Sequence, residues 1–250
     1  MLHGFATDTV SIAKCFILPI GGNLLCLYDR LYRINNVILP TVFNMRDLGV
    51  IVDSDLTFGS HVDNIVSRAS IRANLIIRCF ISGDRHSLVK AFTVYVRPIL
   101  EFNSSVWSPR YRRDNEKVES VQRHFTKRLA GLESIDYKTR LTILCLESLE
   151  LRRLKADLIL TYKILFGLLD VNSENFFSLQ PDNDRLTRGH AFRLAASNSS
   201  SEARRTFFNN RVLNVWNGLS EVTTNFSTLN CFKNSITNSY LAKHCILDAC

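Results

Sequence analysis

The apolar residues of this 250-residue chain change their spacing near Ser60, and that change limits the folds open to it. Before it, short apolar runs at residues 15–18, 31–34, 37–39 and 48–52 are divided by Gly, Asn and Pro, the pattern of short strands and hairpins. After it, Val62, Ile65, Val66, Ala69, Ala73, Ile76, Ile77 and Phe80 recur at the helical period and predict one amphipathic helix that ends at Ser82-Gly83-Asp84. Ser60 and Asp63 carry a hydroxyl and a carboxylate suited to capping its start.

Helical spacing then persists. A helix over residues 87–96 turns Leu88, Phe92 and Tyr95 inward, and Pro98 ends or bends it because its ring has no amide donor. Another over residues 115–129 buries Val118, Val121, Phe125 and Leu129 and carries Arg123, Lys127 and Arg128 on its flanks. Helices follow over residues 137–146 and 149–169, the second with Leu151, Leu154, Leu158, Tyr162, Leu165 and Leu169 in one stripe. Residues 170–200 read as an exposed connection with a short strand around 190–194. A last long helix over residues 203–219 buries Phe208, Val212, Val215 and Leu219 beside Trp216, and a shorter one covers residues 232–241. The expected class is α+β, predominantly α-helical: a short N-terminal β-hairpin region followed by a helical bundle.

A hydrophobic fraction of 46% and a charged fraction of 22% match a globular chain, so folding is expected rather than disorder. The net charge of +8 and pI near 9.3 favour a polyanionic partner. Seven scattered cysteines include no Cys-x-x-Cys pair and read as reduced thiols of an intracellular protein. The first residues lack the pattern of a signal peptide, so the sequons at Asn103, Asn198 and Asn225 are not expected to be glycosylated. No apolar run approaches the ~20 residues of a membrane span.

Several short motifs lie in order along the chain. They are Arg46-Asp47-Leu48-Gly49-Val50, Arg123-His124-Phe125-Thr126-Lys127-Arg128, Leu149-Glu150-Leu151-Arg152-Arg153-Leu154, Tyr162-Lys163, Thr187-Arg188-Gly189-His190 and Phe207-Phe208-Asn209-Asn210-Arg211-Val212-Leu213-Asn214-Val215-Trp216-Asn217. Together they resemble the C-terminal part of reverse transcriptases of non-LTR retrotransposons of the jockey and CR1 type: the palm end, the thumb and the region after it. The resemblance implies a palm remnant with a primer-contacting hairpin at residues 1–55, a thumb-like region at 56–135, a helical extension at 136–170, the connection at 171–202 and a C-terminal helical region at 203–250.

Phe5-Ala6-Thr7-Asp8-Thr9 resembles the family's Phe-Ala-Asp-Asp-Thr, with Thr7 in place of the first aspartate. A hydroxyl cannot replace an anionic magnesium ligand. Lys14 resembles the lysine near the incoming nucleotide's pyrophosphate, but without a nucleotide site it reads as an ordinary strand-edge lysine. No cofactor is expected, magnesium belonging only to the intact family enzyme.

The candidate nucleic-acid-binding residues are Arg46 and Gly49 in the hairpin, Arg68 and Arg72 on the first helix, and Arg123, Lys127 and Arg128 on the third. Phosphates take such cations without sequence readout. Solvated helix faces carry the same residue types, and a plain hairpin would account for Arg46 and Gly49 equally well. The balance shifts toward a polyanion because six arginines and only Glu202 lie between Arg185 and Arg211. Phe207 and Phe208 suit base stacking, although helical spacing puts Phe208 in the core. The histidines show no metal-type spacing, and neither a Gly-rich phosphate loop nor a nucleophile elbow occurs.

The expected function is that of a degenerate polymerase fragment, catalytically inactive by itself, that binds the backbone of RNA or an RNA/DNA hybrid and no membrane. The alternatives are a helical scaffold protein derived from a mobile element and a gene fragment without function.

Overall fold

Asn35 and Asn36 both adopt positive φ, 48° and 64°, the conformation a two-residue hairpin turn requires and one that asparagine tolerates. They join β1 (Arg33–Ile34) to β2 (Val37–Ile38), with Arg33 opposite Ile38. A second antiparallel hairpin pairs β3 (Asn44–Asp47) with β4 (Val50–Asp53) through Leu48 and Gly49. Ile17 forms an isolated parallel bridge with Thr41. This is a computed structural model, and it describes residues 15–21, 31–80, 83–180, 189–196 and 201–247. Thr7, Asp8, Lys14, Arg185 and Arg188 lie outside the described residues.

The chain divides into two compact units, residues 1–60 and 61–250. The class is α+β and predominantly α-helical, with small hairpins before the helices. The second unit comprises α1 (Gly59–Cys79), which crosses the boundary, then α2 (Arg85–Tyr95), α3 (Arg97–Glu101), α4 (Ser104–Trp107), α5 (Arg112–Lys127), α6 (Tyr137–Ile143) and α7 (Leu149–Leu165). After a 3₁₀ turn at Ser173–Asn175 come α8 (Glu202–Thr206), α9 (Phe208–Asn217), α10 (Leu229–Ser235) and α11 (Asn238–Ala242).

Helix α1 starts one residue before Ser60, and its approach is fixed from β4. The Asp53 carboxylate accepts hydrogen bonds from the amides of Thr57 (2.8 Å) and Phe58 (2.6 Å). The expected cap is corrected accordingly: Asp63 accepts a hydrogen bond from Lys117 instead. Within α1, Val62, Ile65, Ala69, Ala73 and Ile76 are buried as the period predicts.

The first part of the helical unit packs around Phe92 and Phe125, stacked 4.5 Å apart, with Val96, Leu100, Trp107 and Leu129 buried. Tyr95 was expected inside but is 57% exposed, and Val96 occupies the interior. The reason is the break after α2: Val96 becomes the cap before α3, whose first turn holds Pro98.

The second part builds an aromatic core from α7, α9, α10 and α11. Tyr162 lies between Phe166 (4.2 Å) and Phe232 (4.7 Å), and Trp216 and Phe232 are fully buried. Helix α7 ends at Leu165, so Leu169 leaves the stripe and faces solvent. The connection read as exposed is drawn into this core: Phe177, His190 and Leu194 are buried, and Leu179 bridges Leu194. The helix expected over residues 203–219 is broken at Phe207, whose extended backbone (ψ 153°) caps α9. Residues 232–241 divide likewise between α10 and α11.

Among the described residues, no helix is long and apolar enough to cross a membrane, and Cys79, Cys145 and Cys231 are free thiols.

Candidate nucleic-acid interface

In the first unit, Arg46 lies on β3 opposite Ile51 with its side chain exposed. The turn that follows has φ of 43° at Leu48 and 90° at Gly49. Gly49 takes this conformation without a Cβ penalty, whereas Leu48 is a branched residue held in the left-handed region with its side chain 84% exposed. The hairpin thus offers solvent one cation and one apolar tip.

In the helical unit, α1 and α5 run side by side in the same direction. Lys117 donates to Asp63 (2.6 Å) and Arg128 donates to Asn74 (2.5 Å), and both pairs are separated by 54 residues, so one register holds along the two helices. The Lys117 pKa is raised by its hydrogen bond with Asp63. Between the helices lies a cleft of about 210 Å³ with Ser70 and Asn74 on one wall and His124 and Arg128 on the other. Arg128 therefore belongs to this cleft.

The remaining helical candidates point elsewhere. Arg123 is exposed with its guanidinium 5.1 Å from the centre of the Tyr137 ring, where cation and aromatic face attract. At about 100° per residue, Arg68 and Arg72 project roughly 120–180° around α1 from Asp63 and Asn74. They occupy the flank that also exposes Ile71 (67%) and Leu75 (54%). Lys127 is exposed on α5. The candidates thus form several cationic faces rather than one focused site. None of Arg68, Arg72, Arg123, Lys127 and Arg128 takes part in an ion pair among the described residues, where the pairs involve Arg97, Arg112, Arg113, Lys117, Arg152, Lys155 and Arg211.

A polar network that the sequence reading missed lies beneath this surface. Buried Glu119 accepts from the Tyr137 hydroxyl (2.5 Å) and the Leu149 amide (2.9 Å), and Gln122 donates to Tyr137 Oη and the Glu147 carbonyl, each at 3.0 Å. Burial raises the Glu119 pKa against the opposing pull of Tyr137 and Arg153, and burial with the Glu119 charge raises that of Tyr137. Arg153 is buried on α7, donates to Asn115 Oδ1 (2.7 Å) and has its pKa lowered by burial. Arg211 binds Asp157 Oδ2 through Nε (3.0 Å) and Nη2 (2.8 Å), and donates also to the carbonyls of Ser105 and Thr206. Arg140 is buried with bonds to Thr126 Oγ1 and the carbonyls of Ile135 and Arg123. The only trace of this in the sequence is a charge at an inward helical position, such as Asp157 beside Leu158, and that trace does not name the partner.

Several residues of the ordered motifs turn out to hold the fold. Trp216 Nε1 donates to the Phe192 carbonyl (2.7 Å), and the Trp216 carbonyl meets His190 Nε2 (2.9 Å). Asn217 pairs with both backbone groups of Leu194 at 2.8 Å, the way a strand partner would. Phe208 is core, while Phe207 is 43% exposed. Among the described residues, no three His, Cys, Asp or Glu side chains converge to hold a metal ion.

No protein-family model matches the chain, and no solved structure matches it. Over 145 residues it is 25% identical to an uncharacterized protein of Caenorhabditis elegans, an alignment that takes in 56% of this chain and 73% of that protein.

Proposed function

We propose that this chain is a helical polyanion-binding module, descended from the palm end and thumb of a non-LTR reverse transcriptase, that holds RNA or an RNA/DNA hybrid through backbone phosphates and carries no catalytic centre of its own. The observation that supports the reading is the set of solvent-facing cations on α1 and α5, Arg68, Arg72, Arg123, Lys127 and Arg128, which form no ion pair among the described residues. Their spread over separate faces suits a ligand whose charge repeats along its length and does not suit a small anion in one pocket. Sequence readout is not expected, because such contacts position a backbone without reading bases.

The test is binding of a labelled RNA/DNA hybrid at several salt concentrations. Engagement of about five phosphates gives a log–log slope near −4 to −5. Absence of binding at low salt overturns the reading.

One feature favours a second reading. Ile71 and Leu75 are exposed between Arg68, Arg72 and Arg78 on α1, and a mixed apolar and basic stripe of this kind also fits an amphipathic acidic helix of a protein partner. Nuclease treatment of the purified complex separates the two: a nucleic-acid complex dissolves and a protein complex survives.

A further inference from the structure

The helical unit contains a groove that none of the sequence candidates line. It runs between α2 and the end of α6 and has a volume of about 740 Å³, the size of a ligand site rather than a packing defect. One wall is cationic. His86, Lys90, Thr93 and Arg97 follow one another at intervals of four, three and four residues, so they stand in one row along α2 and into α3. Arg85 adds a further charge, its guanidinium held by the Ala130 carbonyl at 2.6 Å. The single acid on this wall, Asp84, is occupied as the cap of α2, where it accepts from the Ser87 amide at 2.8 Å. Its pKa is lowered by its bonds to Ser87.

The other wall is apolar, with Ile143, Leu144 and Leu146 beside the exposed Cys145. Cys145 has φ of 50°, which turns the chain out of α6 and lays these residues along the groove. From His86 to Arg97 the row measures about 16 Å at the helical rise per residue, long enough to meet more than one phosphate of an extended, unstacked strand.

From this pairing of walls we infer that the groove binds a single strand of nucleic acid, phosphates on the α2 row and bases against the aliphatic wall. A duplex would present phosphates to the first wall and nothing apolar to the second, because its base faces are already stacked on one another. A free strand satisfies both, and aliphatic contact with base faces carries no sequence preference. Lys90 is central to the row and exposed, with no ion-pair partner among the described residues. Arg97 is steadied by Glu101 at 3.8 Å.

The inference rests on the nucleic-acid reading above and names the form of ligand and its seat. It is tested with the full chain and a fluorescein-labelled twelve-nucleotide oligouridylate, in two measurements. Anisotropy is expected to show Lys90→Glu weakening binding about tenfold and lowering the salt slope by one to two. Alkylation by iodoacetamide, followed by peptide mass spectrometry, is expected to show the oligonucleotide protecting Cys145 while Cys231 on α10 reacts as before. If the strand binds and neither Cys145 protection nor a Lys90→Glu effect appears, the groove assignment is overturned and the broader reading stands. If the duplex hybrid protects Cys145 as well as the single strand does, the preference for a free strand is overturned. If neither ligand binds at low salt, both fall together.

Discussion

Arg72 and Arg153 are the same residue type on two long helices of one unit, and their surroundings give them opposite roles. Arg153 lies on the inward face of α7 with its charge surrounded by Glu119, Glu150 and Asp157 and a bond to Asn115. Arg72 lies exposed on α1 with no acid paired to it among the described residues. Arg211 and Arg140 resemble the first, Arg68 and Lys127 the second. An enclosed guanidinium that meets fixed oxygens of the protein gives the fold its geometry and is not presented to an external anion. An exposed one adds little to stability and retains its full charge for a ligand. Four variants would break or sharpen this contrast.

The largest effect is expected at the Arg211 and Asp157 pair. Arg211→Ala leaves the buried Asp157 carboxylate without the guanidinium that donates twice to its Oδ2, so a loss of about 3–5 kcal/mol in urea unfolding is expected. Stability unchanged by this variant would place Arg211 among the surface cations.

Tyr137→Phe comes next. It removes the hydroxyl that serves both Glu119 and Gln122, and leaving these buried groups short of a partner costs about 1–3 kcal/mol. Chemical denaturation at neutral pH measures it, and a change under about 0.5 kcal/mol would mean that water replaces the hydroxyl at no cost.

A smaller effect concerns pH. Burial raises the folded-state pKa of Glu119 above the usual 4.5, so the folded chain takes up a proton there more readily than the unfolded chain. Its contribution is therefore fully present below the unfolded value and is lost as pH rises through the folded one. Between Glu119→Gln and the parent chain, the urea midpoint of the parent is expected to fall more steeply as pH climbs above 4.5. Parallel pH profiles for the two chains would refute the assignment.

The smallest effect on stability belongs to the surface pair. Arg68→Gln with Arg72→Gln should leave unfolding within about 0.5 kcal/mol of the parent, while lowering the salt slope of hybrid binding by about two. A stability loss of the size expected at Arg211 would erase the contrast.

How far the sequence was legible differs by element. The inward residues Val118, Val121, Phe125 and Leu129 of α5 follow directly from their period, as do Phe208, Val212, Val215 and Leu219 around α9. The hairpin turns were marked by Asn35, Asn36 and Gly49, which tolerate or favour positive φ, while the positive φ of Leu48 carried no such mark. The break at Phe207 was not legible, because the apolar period continues through it and the corner is held by later contacts, Phe208 on Phe177 and Arg211 on the Thr206 carbonyl. The burial of His190 and Leu194 was hidden for a related reason. Their segment reads as polar and irregular, and the backbone groups of Phe192 and Leu194 are satisfied by the side chains of Trp216 and Asn217, more than twenty residues away.

The candidate site was legible as charge and illegible as geometry. Sequence marked Arg68, Arg72, Arg123, Lys127 and Arg128 as cations on helices, and all are exposed. It could not say that Arg128 reaches Asn74 or that Arg123 stands on Tyr137, nor could it pick out the α2 row with its apolar facing wall.

By itself the amino-acid order determined which stretches coil, where the hairpins turn and that the net field is positive, since each depends on neighbours within one or two helical turns or on a sum over the chain. Tertiary structure alone decided which arginines are interior struts and which remain open to a ligand. That depends on whether a carboxylate or carbonyl from a distant helix arrives within hydrogen-bond reach, and the 54 residues between Asp157 and Arg211 carry no local mark of that meeting.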